Sequence, residues 1–265
     1  MTNILRDRLN SSRPIYGCFV TMRDPAVTEI AALAGYDFVI IDMEHAALDL
    51  ESVVDHLRAA RARGIGAMVR MPARSPATAF RLVEEGAEGI LIPHVHSPEV
   101  AQEGVNATRY APIGQRGIYD ATRAADYSAH SFASYKEMTE QLNSEMVVML
   151  LIEDREGVDR IDEILAVPGI DVVTVGPSDL SYSLGVYGSV GHPVLGEAIE
   201  TVRNACRRHQ VRFGMPPDHG TYPISPKQLS EWGVTFLFRG SDCNALVKGF
   251  RDRLGQMKTL GTGQA

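Results

Sequence analysis

Two kinds of apolar spacing alternate along this chain. Short runs are apolar at almost every position: Phe38-Val-Ile-Ile-Asp42, Gly89-Ile-Leu-Ile-Pro93, Val147-Val-Met-Leu-Leu-Ile-Glu153 and Val172-Val-Thr-Val-Gly176. A run of that kind predicts a strand covered on both faces, as in a parallel sheet. Longer segments with helical spacing lie between them. Asp24-Pro25 opens one that Gly35 ends, and a second runs from about Leu50 to Arg63 with Gly64 as its stop. Ser75-Pro76 opens a third that ends at Gly86, and Ser97-Pro98 a fourth that reaches about Arg109. A capping side chain followed by proline at the first helical position, with glycine just past the end, is the expected punctuation of a helix.

The remaining elements complete the rhythm. Arg13-Pro14 cuts off a short amphipathic N-terminal helix, and Tyr16–Val20 and Ala67–Arg70 read as the first and third strands. Beyond the sixth strand come a glycine-rich stretch from Leu184 to Gly196 and a helix to His209. A strand at Arg212–Met215, a helix at Ser225–Trp232, a strand at Thr235–Phe238 and a helix from Asp242 to about Met257 follow. A Gly/Thr/Gln tail is expected to fray. Only Ala111 to Ser144 breaks the pattern, and a connection of that length in a compact domain is usually functional. Eight strand–helix units over residues 1–265 predict the α/β class, as a single (β/α)8 TIM barrel with a short N-terminal helix and no second domain. A doubly wound open sheet is the alternative, but no GxGxxG follows the first strand to support a dinucleotide site.

Composition narrows the function. A net charge of −7 and a pI near 5.6 leave no basic footprint for nucleic acid. No run of about 18 apolar residues exists to span a membrane, and the N-terminus lacks a secretory apolar core. Cys18, Cys206 and Cys243 are far apart with no CxxC pair, which fits a reducing, cytoplasmic setting and argues against a structural zinc site.

In such a barrel, chemistry belongs at the C-terminal ends of the strands. Those ends carry Asp42-Met-Glu44-His45, Arg70, His94 with His96, Glu153-Asp154, Ser178-Asp179 and Arg239-Gly-Ser241. Glu153 and Asp179 terminate two buried runs, where an unpaired carboxylate is costly, so a shared cation is one reading and ordinary water-facing acids the other. Two hard oxygen ligands suit Mg²⁺ or Mn²⁺, or Co²⁺, with a chelating 2-oxo acid completing the shell. A metal there polarises the ketone and stabilises an enolate, Arg70 shares the developing charge, and His45 moves protons near neutral pH. Gly176-Pro177 sets a tight turn in which Ser178 can cap a short helix starting at Asp179, whose free N–H groups could bind a small carboxylate. His94 and His96 could ligate a metal but read more simply as polar rim residues. His56, His130, His192, His209 and His219 read as structural or solvated, and Arg116 as a solvated loop arginine that could reach an acidic substrate or a neighbouring subunit.

Several stretches together resemble the HpcH/HpaI aldolase family: Phe38–His45, Val69-Arg70, Glu84–Pro93, Ala107–Gly117, Ile152-Glu153, Val175–Ser181, Trp232–Phe236 and Gly240–Asp242. The resemblance covers nearly the whole chain. It implies a class II, metal-dependent pyruvate aldolase that cleaves a 4-hydroxy-2-oxo acid to pyruvate, or an analogue such as hydroxypyruvate, and an aldehyde. By position, Glu153 and Asp179 would ligate the metal, Arg70 would hold the enolate oxygen and His45 would be the acid/base. The N–H groups of Ser178 and Asp179, in the turn that Gly176 opens, would bind the carboxylate. Glu84 stands where an aspartate often serves the histidine of a neighbouring subunit, in a trimer of dimers. The chain departs from the family at Leu151, where glutamine is frequent, at Ala46-Ala47 in place of glycine-proline, and at His94 and His96. The aldehyde partner is expected to depend on the Ala111–Ser144 loop, on Tyr119 and Arg123 within it, and on loops of another subunit. Two rival readings are a CoA-thioester carbon–carbon lyase and a non-catalytic barrel that serves as a binding protein.

Overall fold

Eight parallel strands hydrogen-bond in sequence order, β1 to β8 and back to β1, in a computed structural model that describes residues 3–129 and 132–261. The strands are β1 Ile15–Val20, β2 Phe38–Asp42, β3 Gly66–Arg70, β4 Gly89–Ile92, β5 Val147–Ile152, β6 Val172–Val175, β7 Arg212–Gly214 and β8 Phe236–Ser241. The helices are α1 Ile4–Asn10, α2 Ala26–Leu33, α3 Leu50–Arg63, α4 Pro76–Glu84, α5 Pro98–Thr108 and α6 Tyr135–Glu145. They continue as α7 Arg155–Asp159, α8 Ile161–Leu165, α9 Pro177–Ser183, α10 Pro193–Arg208, α11 Pro226–Glu231 and α12 Asp242–Gly261. The closed barrel is the expected (β/α)8 fold, and the open-sheet alternative is excluded.

The all-apolar strands are explained by two separate cores. On β2, Val39 and Ile41 face the helices, whereas Phe38 and Ile40 face the barrel interior with Met68, Leu91, Met149, Leu151 and Phe236. A strand with apolar neighbours on both sides shows no alternation. Helix starts follow their caps: Asp49, Ser97 and Ser134 each accept a backbone N–H from the first turn of α3, α5 and α6. Helix α1 plugs the foot of the barrel. Its Leu5 is fully buried, and Gly66 and Gly89 make room for it, since a Cβ at either position would come within 2.9 Å of Leu5. Glu88 accepts the N–H groups of Ile4 at 3.1 Å and Leu5 at 3.0 Å, and burial pushes its carboxyl above the ordinary range.

The structure adjusts several expectations. The N-terminal helix stops at Asn10, because the Ser11 N–H closes on the Arg8 carbonyl and the chain turns extended. The segment that breaks the rhythm holds a 3-10 turn at Arg123–Ser128 and the three-turn α6. The helix expected over about Gly157 to Ala166 is two short ones, α7 and α8, that meet at Arg160. The last helix reaches Gly261 and, after Asp242, is exposed at every described side chain through Thr259. His130 and residues 262–265 of the tail lie outside the described residues. Among the described residues no helix is long and apolar enough to cross a membrane.

Candidate active site

The C-terminal ends of the strands surround a cavity of about 600 Å³. Phe19, Asp42, His45, Arg70, Leu151, Glu153, Thr174, Gly176, Ser178, Asp179, His219 and Arg239 are among its lining residues. Register explains part of the gathering: Asp42 pairs with Arg70 across β2 and β3, so both strands deliver a charged residue at one level.

Asp42 holds Arg70 with both oxygens, Oδ1 to Nε at 2.9 Å and Oδ2 to Nη2 at 2.6 Å. Oδ1 also accepts the N–H groups of Glu44 at 3.0 Å and His45 at 3.3 Å, which shapes the turn after β2. Burial alone would raise the Asp42 carboxyl, but the guanidinium and these N–H groups hold it below the ordinary aspartate range. Arg70 also lies over the Phe19 ring, 4.7 Å from its centroid. The charges continue in a line. Arg70 Nη1 is 3.4 Å from Glu44 Oε2, and Glu44 Oε1 is 3.0 Å from His94 Nε2. His94 Nδ1 is 3.0 Å from Glu153 Oε1, the same oxygen that accepts the His94 N–H at 2.7 Å. His94 makes both contacts from a left-handed backbone, φ 53°, a conformation uncommon outside glycine though less so for histidine than for most side chains. Strain of this kind persists where surrounding contacts over-determine it.

Glu153 is buried, and its carboxyl is pushed up to about 7, chiefly by burial and further by the charges of Asp179 and Glu44, against the pull of His94. Its Oε2 lies against Gly176, where a Cβ would sit 2.9 Å away. The residues therefore fit a divalent cation: a buried carboxylate at Glu153 and an exposed one at Asp179 line the same cavity, with an acid surplus that a cation relieves. Among the described residues no group of three or more His, Cys, Asp and Glu is disposed to hold a metal, so the offer is two carboxylates, Glu153 and Asp179.

The expected residues divide into those gathered here and those elsewhere. His45, Arg70, Glu153, Gly176, Ser178 and Asp179 line the one cavity. Ser178 does not cap α9: Gly176 is the N-cap, Pro177 fills the first position, and Ser178 Oγ is 3.4 Å from Thr221 Oγ1. The N–H groups of Ser178 and Asp179 precede the first bond of that helix, from Leu180 to Gly176, and so stay free of it. Glu84 ends α4 at the opposite end of its own barrel, where the buried Arg116 donates from Nε at 2.9 Å and Nη2 at 2.5 Å. Arg116 is thus not solvated. Arg123 lies at that foot too, donating to the Glu85 carbonyl at 2.8 Å, away from the rim of its own barrel. Tyr119 is exposed.

Among the histidines, His56 is buried between Thr28 and the Met22 carbonyl, His192 caps α10 and His209 pairs with Asp162. His96 Nδ1 is 2.9 Å from the His94 carbonyl. His219, read as structural or solvated, instead stands on the cavity wall, and burial and the Arg239 charge lower its pKa. The His94 bridge between Glu44 and Glu153 had no signal in the residue pattern, whereas His219 was accessible to the strand-end rule because it follows β7.

A closed parallel (β/α)8 barrel with an acid-rich, arginine-bearing rim at its strand ends is the architecture of a barrel enzyme. The family model for HpcH/HpaI aldolase/citrate lyase matches residues 15–244, and the chain belongs to that family. It is an aldolase, a carbon–carbon lyase. A 5-keto-4-deoxy-D-glucarate aldolase of Shigella boydii is 33% identical over 226 residues, 85% of each chain. An HpcH/HpaI aldolase structure from Desulfitobacterium hafniense is 30% identical, with a TM-score of 0.86 over 97% of each chain. Macrophomate synthase is 26% identical, with a TM-score of 0.82 over 98% of this chain and 91% of that one.

Proposed function

We propose that the protein reversibly cleaves a 4-hydroxy-2-oxo acid to pyruvate or a close analogue plus an aldehyde, with a divalent metal held by Glu153 and Asp179. The observation that carries this reading is the unbroken line of charges from Asp42 through Arg70, Glu44 and His94 to Glu153, of which Asp42, Arg70 and Glu153 line one cavity. Mg²⁺ or Mn²⁺, with Co²⁺ a third candidate, supplies Lewis-acid polarisation of the ketone when bound. Arg70, fixed by Asp42, faces the charge that develops on the ketone oxygen as the C3–C4 bond breaks. His45 takes the proton of the C4 hydroxyl and can return one to C3. The N–H groups of Ser178 and Asp179 bind the substrate carboxylate, and Gly176 leaves Glu153 its space.

We also propose a homo-oligomer, a trimer of dimers, in a cytoplasmic setting. Leu246, Val247, Phe250, Leu254 and Met257 are exposed on α12, as are Ile30 and Leu33 on α2, and a second copy would cover them. Glu84 would then serve the site of a neighbouring copy. The CoA-thioester and non-catalytic readings are not favoured beside an aldolase relative matched over 85% of both chains.

The test is metal-dependent pyruvate release, and C3-proton exchange followed by NMR in D₂O, across a panel of oxo acids with Mg²⁺, Mn²⁺ and Co²⁺. Activity is expected with at least one acid. Glu153→Ala and Asp179→Ala should each abolish metal binding measured by Mn²⁺ EPR. Full activity in either variant would refute the assignment.

A further inference from the structure

We propose that Thr174 touches the bound donor and selects a 2-oxo acid that carries a hydroxyl on C3 over one that carries a plain methyl group. The proposal rests on the aldolase reading of this same cavity and names the donor it favours.

The strand itself supplies the first observation. β6 reads Val172-Val-Thr-Val175, with Val173 and Val175 packed toward the helices and Val172 toward the barrel interior. Side chains alternate along a strand, so Thr174 faces the interior with Val172. It is fully buried and lines the rim cavity. Its register partners are Leu151 on β5 and Gly214 on β7. That places it two residues below Gly176 on its own strand and beside the residue two below Glu153 on the next.

The second observation is the hydroxyl. Thr174 Oγ1 has no hydrogen-bond partner in the protein. A buried hydroxyl without a partner carries a desolvation penalty that a valine of the same shape would not. The other three residues of this strand are valine. The hydroxyl is therefore the exception on β6, and its partner has to arrive from the cavity.

The surroundings say what kind of partner. Phe19, Leu91, Leu151 and Phe238 line the same deep part of the cavity, and all are apolar. Leu151 offers no polar atom beside Thr174, and Gly214 has no side chain to cover it on the other flank. A donor bound through its carboxylate and ketone to a cation that Glu153 and Asp179 would hold lies over this floor, because all of these residues line the one cavity. A methyl group on C2 meets only apolar neighbours there. A hydroxymethyl group offers the one oxygen that Thr174 can bond. Sites that hydrogen-bond a substrate hydroxyl discriminate more strongly than apolar sites that merely tolerate one.

The experiment compares hydroxypyruvate with pyruvate on the Mn²⁺-loaded protein by two readouts, affinity from calorimetry and C3-proton exchange by NMR. For the native chain we expect both to favour hydroxypyruvate. Thr174→Val should reduce that preference by roughly 10-fold or more, the usual scale for one lost hydrogen bond to a buried partner. Thr174→Ser keeps the hydroxyl and should retain most of the preference, which separates the bond from any general disturbance of the floor. An unchanged ratio in Thr174→Val, or an equal loss in Thr174→Ser, overturns the proposal. Absence of exchange with either acid, alongside a Thr174-dependent preference in binding, overturns the aldolase reading and leaves the donor contact standing.

Discussion

Asp42→Asn tests whether the rim is preorganised around Arg70. The native carboxylate is 3% exposed and the guanidinium 13%, with two bonds between them. Breaking a buried pair from one side costs about 3–5 kcal/mol, because the other charge is left without its partner. Asparagine keeps one oxygen for Arg70 Nε and for the Glu44 N–H, and Glu44 remains 3.4 Å from Arg70 Nη1. Its amide nitrogen, however, faces Nη2, donor against donor. The loss should therefore fall at the lower end, roughly 3 kcal/mol. Urea unfolding measures it as a lower midpoint at constant slope. Removing a preorganised donor outright lowers kcat about 10²–10³-fold, so a guanidinium that is present but unaimed should lower C3-proton exchange by roughly 10–10². The sign with pH follows from the depressed Asp42 carboxyl. Its contribution is fully present above the ordinary aspartate value and is lost as pH falls through the lower folded value, so the gap between the two proteins should close below about pH 4. A variant with an unchanged midpoint and exchange within about threefold of native would refute the role given to Asp42.

Three further outcomes are expected. His56 is buried and its pKa is lowered by that burial, so the folded protein takes up fewer protons and loses stability as pH falls below about 6.5; His56→Gln should flatten that part of the acid limb in thermal melts at pH 5 and 7.5, and an unaltered slope would count against it. Gly176→Ala would put a Cβ 2.9 Å from Glu153 Oε2, and should weaken Mn²⁺ binding about 10-fold by EPR titration, whereas Gly220→Ala meets nothing within 4 Å and should not; equal affinities would exclude Glu153 as a ligand held against that glycine. Phe250→Glu, on the exposed face of α12, should shift the assembly to smaller species in light scattering, and an unchanged mass would remove α12 from the interface.

What was legible in the chain was whatever short-range pattern dictates. Runs such as Val147–Ile152 are apolar throughout because they face two cores, and so they announced both the parallel barrel and its rim. The acids at Glu153 and Asp179 followed by position alone. Helix α6 was missed because its Tyr-Lys-Glu-Met-Thr-Glu-Gln sequence buries only Met138, Thr139 and Asn143, too thin a stripe to stand out from a polar loop. The place of Glu84 was readable, since it stands just before the Gly86 stop and a helix end there lies at the foot of the next strand. The His94 bridge was not readable. It depends on a histidine taking a left-handed backbone and on a glutamate from another strand reaching it, and neither leaves a local trace.

That bridge bears on how Arg70 can work at all. Two of the three guanidinium nitrogens are committed to Asp42, which leaves Nη1 as the nitrogen able to meet a substrate oxygen. Glu44 is its nearest acid, and a close ion pair there would occupy it. The distances run the other way: Glu44 is 3.0 Å from His94 Nε2 but 3.4 Å from Nη1. His94 thus draws Glu44 aside while its other nitrogen and its backbone N–H hold one oxygen of Glu153. A single strained residue sets two acids back from the space between them. One half of the rim is then a satisfied aspartate–arginine pair whose third nitrogen, Nη1, has only the longer 3.4 Å pairing with Glu44, and the other keeps its negative surplus at Glu153 and Asp179. A ketone oxygen between Arg70 Nη1 and a cation that Glu153 and Asp179 would hold would be polarised from both sides, which is what enolate formation at C3 requires.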